Sequence, residues 1–135
     1  MAEGLIYLSQ PARLGGATAV ENRERVIEAV TNRNLTVIHP FEAFPYERFE
    51  GAPNVGRERA MAYCCKLIDI CEAGLAVTGI SEGTLLETEY LLKHWPQRPL
   101  LNLIEEFDPD WRQYRDMFVD EDRFGAALQV LAIES

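Results

Sequence analysis

Short β-prone apolar runs alternate with amphipathic stretches along most of the chain. Leu5-Ile6-Tyr7-Leu8 is apolar on both sides and predicts a buried strand. A turn-rich segment from Ser9 to Gly16 follows, marked by Pro11 and the Gly15-Gly16 pair. Thr18 to Asn32 predicts a helix with Val20, Val26, Ile27 and Val30 toward the core. Thr18 fits its N-cap, and Glu21 would close a capping box. Leu35-Thr36-Val37-Ile38 predicts the second strand. A strand, a helix and a strand in that order make a βαβ unit, hence a parallel sheet.

His39 to Val55 is a long connection carrying Pro40, Pro45 and Pro53 with Phe41, Phe44, Tyr46 and Phe49. Loops of that length in a compact domain are often functional; a flap over a sheet edge is the structural alternative. Gly56 to Ala73 shows one apolar face through Ala60, Met61, Cys64, Leu67, Ile68 and Cys71, with Arg59, Lys66 and Asp69 on the other side. Leu75 to Thr78 is the third strand, Gly79 to Gly83 a tight turn, Thr84 to His94 the next helix and Pro99 to Ile104 the fourth strand. Beyond it, Pro109 to Arg115 reads as a short helix, Met117-Phe118-Val119 as a short fifth strand and Glu121 to Ile133 as a closing helix. The order predicts one α/β domain over residues 1–135, a flavodoxin-like three-layer sandwich on a parallel sheet of four or five strands. Such sheets bind ligands at the carboxyl ends of their strands, near the switch point. The turns after Leu8, Ile38 and Thr78 should therefore converge.

Charge narrows the partners. The formal net charge of -9 over 135 residues disfavours a nucleic acid polymer, whose phosphates need clustered Lys and Arg. A small anion is still compatible, because a helix N-terminus and one Arg hold a phosphate locally. No apolar run nears membrane-spanning length and no signal peptide is evident, so the expected setting is cytoplasmic. Cys64, Cys65 and Cys71 are an odd, clustered set that reads as reduced structural thiols. His39 and His94 lie near no Cys pair, so no metal is expected.

Candidate chemistry concentrates in the turns. In Ser81-Glu82-Gly83-Thr84-Leu85-Leu86-Glu87, the free N–H groups of a helix start favour an anion and Ser81 adds a hydroxyl. Glu87 faces the same crevice as a carboxylate, or else caps Thr84 at the third helical position. In Tyr7-Leu8-Ser9-Gln10-Pro11-Ala12-Arg13, Arg13 suits a phosphate or is a solvated surface group. Phe41 could stack on a planar base or staple the long loop. Arg57 and Arg59 read as a solvated face, and His94 as a helix C-terminal cap.

Together these segments resemble the nucleoside 2-deoxyribosyltransferase-like superfamily, over roughly residues 4 to 105. Ile6-Tyr7-Leu8 followed by Arg13 is similar to the family's first strand and phosphate-binding Arg. Ser81-x-Gly83-Thr84-x-x-Glu87 is similar to its signature, whose Glu is the nucleophile on the anomeric carbon. Ser81, where nucleoside-specific members commonly carry Asp, points to the nucleoside 5′-monophosphate N-glycosidase branch, since Asp there would repel a phosphate. The resemblance implies hydrolysis of a nucleotide without a cofactor. Glu87 and Tyr7 would be catalytic, and Arg13, Ser81, Gly83, Thr84, Ser9, Gln10 and Phe41 would bind substrate. It also implies a homodimer whose neighbour closes the site, with Trp111, Arg112 and Tyr114 as the candidate contribution. One departure stands out: counting back from Gly74, Lys66 falls where the family places a helix Asp, with Asp69 out of register and Glu58 a conceivable substitute. A non-catalytic nucleotide-binding or sensor domain and a deoxyribosyltransferase are the competing readings.

Overall fold

A computed structural model describes residues 4–11, 17–40, 55–113 and 115–133, without the side chains of 17–22, 55–57 and 118. Its elements are β1 (Leu5–Ser9), α1 (Ala17–Thr31), β2 (Thr36–Ile38), α2 (Val55–Asp69), β3 (Leu75–Val77), α3 (Glu82–His94) and β4 (Leu100–Asn102). Shorter pieces follow: α4 (Ile104–Phe107), a 3-10 turn (Trp111–Gln113), α5 (Arg115–Phe118) and α6 (Gly125–Val130). The four strands are all parallel in the order β2-β1-β3-β4. This is the α/β three-layer arrangement that the strand–helix alternation predicts. The chain steps outward from β1 to β2, then returns across β1 to β3, so the switch point lies between β1 and β3.

Strand alternation assigns the two faces. Tyr7, Leu75 and Val77 point to one side and pack with Ala60, Cys64 and Ile68 of α2 and Leu85 and Leu91 of α3. Ile6, Leu8 and Ala76 point to the other and pack with Val26 and Val30 of α1 and with Leu103 and Phe107. Ile6, Leu8, Val26, Leu75 and Leu85 are fully buried, each contributing about 1.5–3 kcal/mol of apolar transfer.

The amino ends of the strands are tied by polar groups. Asp69 accepts the Tyr90 hydroxyl at 2.7 Å and the Trp95 indole N–H at 2.8 Å. Arg98 lies over the Trp95 ring and donates to the carbonyls of Ile68 and Asp69, closing the end of α2. Gly74 has φ +92, and a Cβ there would overlap the Pro99 carbonyl. Only glycine fits that approach of β3 to the start of β4.

Three expectations need correction. Met117-Phe118-Val119 is not a strand, because residues 115–118 form a helical turn whose Arg115 carbonyl accepts the Val119 N–H at 3.0 Å. Buried Arg115 explains why: it donates to the Ile133 carbonyl, Asp116 and Glu121, anchoring the segment to the tail instead of to a sheet edge. α1 starts at Ala17, so Thr18 lies inside it instead of capping it. Trp111 is buried in its own chain, donating to Glu105 at 3.1 Å, so it is not offered to a neighbour; Arg112 stacks on its ring at 4.2 Å. Tyr114 lies outside the described residues. No described helix is long and apolar enough to cross a membrane.

Candidate active site

At the switch point, α3 brings Glu87 across β3 to the end of β1. The start of α3 is set by Ser81, an extended residue whose hydroxyl accepts the Thr84 N–H at 3.1 Å, while the Thr84 hydroxyl accepts the Ser81 N–H at 2.9 Å. The capping box is therefore Ser81 with Thr84, three residues before the Thr84–Glu87 pairing that the pattern also permits. Glu87 therefore sits deeper, on the second turn of α3, and its carboxylate is not used as a cap.

That carboxylate is buried, at 6% exposure. Ser9 Oγ donates to its Oε1 at 2.6 Å, and the Tyr7 hydroxyl donates to its Oε2. Both donors come from β1, two residues apart and hence on the same face of the strand. Burial, and then the negative charge of Glu87, hold the Tyr7 phenol well above its ordinary range, so it stays protonated as a donor. The middle helix contributes Cys64, which the sequence reading treats only as core. Its thiol packs beside Tyr7 and near Glu87, and burial, followed by the Glu87 charge, pushes it upward so that it remains neutral. Lys66 and Glu58 are exposed, and Glu58 lines a hollow of about 580 Å³ on the outer side of α2 and α3 together with Leu86 and Tyr90. Neither stands where a helix Asp would meet Glu87. Asp69 is likewise engaged with Tyr90 and Trp95 near the other end of β3.

The turn between β3 and α3 is braced from outside. Asp108 accepts the Ile80 N–H at 3.1 Å, a support that nothing in the spacing of the sequence announces. Burial raises its carboxyl above the usual range. A Cβ on Gly79 would fall 2.5 Å from Pro11 Cγ, so glycine lets the end of the first strand pack against this turn. Thr84 donates to the Gly79 carbonyl at 3.1 Å, so its hydroxyl shapes the turn. At Gly83, among the described residues, a Cβ would meet only Ser81 Oγ, at 3.8 Å.

Gln10 and His39, at the ends of β1 and β2, are buried and joined through Gln10 Oε1 and His39 Nε2 at 2.9 Å. Burial, then the cation of Arg23, hold His39 down to about 4. The structure thus brings Tyr7, Ser9 and Glu87 into one cluster and sets Gln10, Ser81, Gly83 and Thr84 in the turns around it. Arg13 and Phe41 lie outside the described residues. The cysteines are free; Cys64 and Cys71 are buried and Cys65 half-buried. No protein-family model matches the chain, and neither a curated protein nor a solved structure matches it.

Proposed function

We propose that the protein is an N-glycosidase that hydrolyses a nucleoside 5′-monophosphate to free base and sugar phosphate. The observation that carries this reading is Glu87 itself, a buried carboxylate at the switch point held through both oxygens by two hydroxyls of β1. Each oxygen accepts one of these bonds. Glu87 attacks C1′, the C1′–N bond breaks with its electron pair passing to the base, and the base takes up a proton. Water then cleaves the glycosyl ester, as in retaining glycosidases. Tyr7 and Ser9 position the carboxylate. Arg13, Ser81 and the helix start at Gly83 hold the phosphate, and Phe41 stacks on the base. The reading includes a homodimer acting in the cytoplasm on free nucleotides, consistent with a net charge of -9 that repels phosphate polymers.

A second reading, a nucleotide-binding module without catalysis, draws on Cys64: the group that the middle helix turns toward Glu87 is a neutral thiol, not a carboxylate. One experiment decides between them. The protein is incubated with a panel of ribo- and deoxyribonucleoside monophosphates, and free base is measured by chromatography. Release from at least one nucleotide, abolished in Glu87→Gln with binding retained, is expected. Binding without release supports the module, and unchanged turnover in Glu87→Gln ends the nucleophile assignment.

A further inference from the structure

The chemistry at Glu87 leaves one polar pair unused. Gln10 directly follows Ser9, one residue beyond the hydroxyl that holds Glu87, and His39 directly follows the last residue of β2. The two side chains therefore meet at the carboxyl ends of neighbouring strands, where a doubly wound sheet takes its ligand. Gln10 is 9% exposed and His39 is 3% exposed. A carboxamide oxygen only accepts, so in the 2.9 Å contact it is His39 Nε2 that carries the hydrogen and donates to Gln10 Oε1. That contact also orients Gln10. With Oε1 turned to His39, the NH2 group points the other way, and it has no hydrogen-bond partner among the described residues. The NH2 group is not sealed off from solvent, so a donor fixed at the carboxyl ends of the strands is open to a ligand acceptor. His39 remains uncharged near neutral pH, so the pair presents donors without adding a cation.

We infer that Gln10, locked by His39, reads the base of the nucleotide and selects bases that present a carbonyl oxygen over those that present an amino group at the same position. This inference rests on the nucleotide reading of the site above. Its physical basis is asymmetric: a carbonyl accepts from the Gln10 NH2, whereas an exocyclic amino group sets donor against donor and leaves both unpaired. Two substrate pairs isolate that difference, inosine against adenosine monophosphate and uridine against cytidine monophosphate. Each pair swaps one oxo group for one amino group on an otherwise matching ring.

The test compares kcat/KM for base release across both pairs in the wild type, Gln10→Glu and His39→Leu, with nucleotide binding to Glu87→Gln and to Glu87→Gln/Gln10→Glu measured by calorimetry. The wild type is expected to favour the oxo member of at least one pair by tenfold or more. Gln10→Glu keeps the shape but only accepts, so it should reduce that ratio at least tenfold or invert it. His39→Leu frees the carboxamide to rotate and should bring the ratio toward one. A ratio unchanged within twofold in Gln10→Glu, with turnover intact, overturns the inference while leaving the glycosidase reading in place. If no nucleotide is hydrolysed but the calorimetric oxo-to-amino ratio still responds to Gln10→Glu, the base-reading role survives and the glycosidase reading fails. If no nucleotide binds, both fall.

Discussion

His39 gives the sharpest quantitative test of this fold. Its folded value is held down to about 4 from 6.5, by burial first and then by the Arg23 cation. A depressed folded value means that the unfolded chain binds the proton more readily. The corresponding stability is complete above pH 6.5 and is lost as the pH falls toward 4. At about 1.36 kcal/mol per unit the full effect is roughly 3 kcal/mol, of which about 2.5 kcal/mol should be gone by pH 4.5. Carboxylates titrate in the same range, so the comparison must be with a variant lacking only the imidazole. Urea unfolding of the wild type and His39→Leu at pH 7.5 and 4.5 provides it. At pH 7.5 the variant should be the less stable, by about 1 kcal/mol or somewhat more, having lost the bond to Gln10. At pH 4.5 the gap should have moved about 2.5 kcal/mol in the variant's favour. Because the chain has 2 histidines, their ring proton resonances report the same quantity directly by NMR. A gap that moves by less than about 1 kcal/mol, or a His39 resonance titrating near 6.5, would refute the buried, uncharged pair.

Other perturbations address separate parts of the molecule. Tyr7→Phe removes one of two hydroxyls from a buried carboxylate and should cost about 1.5–3 kcal/mol in denaturant unfolding near neutral pH. It should also lower base release at least tenfold, and retention of both stability and turnover would remove Tyr7 from the site. Asp69→Ala should cost about 1–2 kcal/mol through the lost bonds from Tyr90 and Trp95, with kcat/KM unchanged; a large loss of kcat/KM at full stability would give Asp69 a role in the chemistry. Gly74→Ala combines a positive φ with a backbone overlap and should cost more than about 3 kcal/mol, read as a lowered Tm or absent soluble protein.

The alternation of elements and the four strands were legible because each strand is a short apolar run and each long helix keeps one apolar stripe. The tail after β4 was not. Met117-Phe118-Val119 carries β-prone residues, but the segment follows its neighbours: Arg115 is buried against the Ile133 carbonyl, and tertiary anchoring outweighs the propensity of three residues. Counting along α2 from Gly74 pointed to Lys66. A count from Gly74 ignores which face of the helix a position occupies, whereas the 3.6-residue period already sets Cys64 inward and Lys66 outward, and in space it is Cys64 that turns toward Glu87.

Glu87 shows how a one-turn ambiguity in sequence becomes a chemical distinction. Thr84-Leu85-Leu86-Glu87 satisfies the capping-box pattern as well as Ser81 with Thr84 does, and a carboxylate used as a cap would be occupied by backbone N–H groups. The cap falls on Ser81 because an extended residue must precede the first turn, and the Thr84 hydroxyl then closes the box at its third position. Glu87 is thereby carried one turn further, over β1, where Tyr7 and Ser9 have their side chains on the same face. Had the helix begun three residues later, the same seven residues would have given a capped helix and an unoccupied pair of buried hydroxyls. The arrangement that does form sets the carboxylate against the Tyr7 and Ser9 hydroxyls of β1.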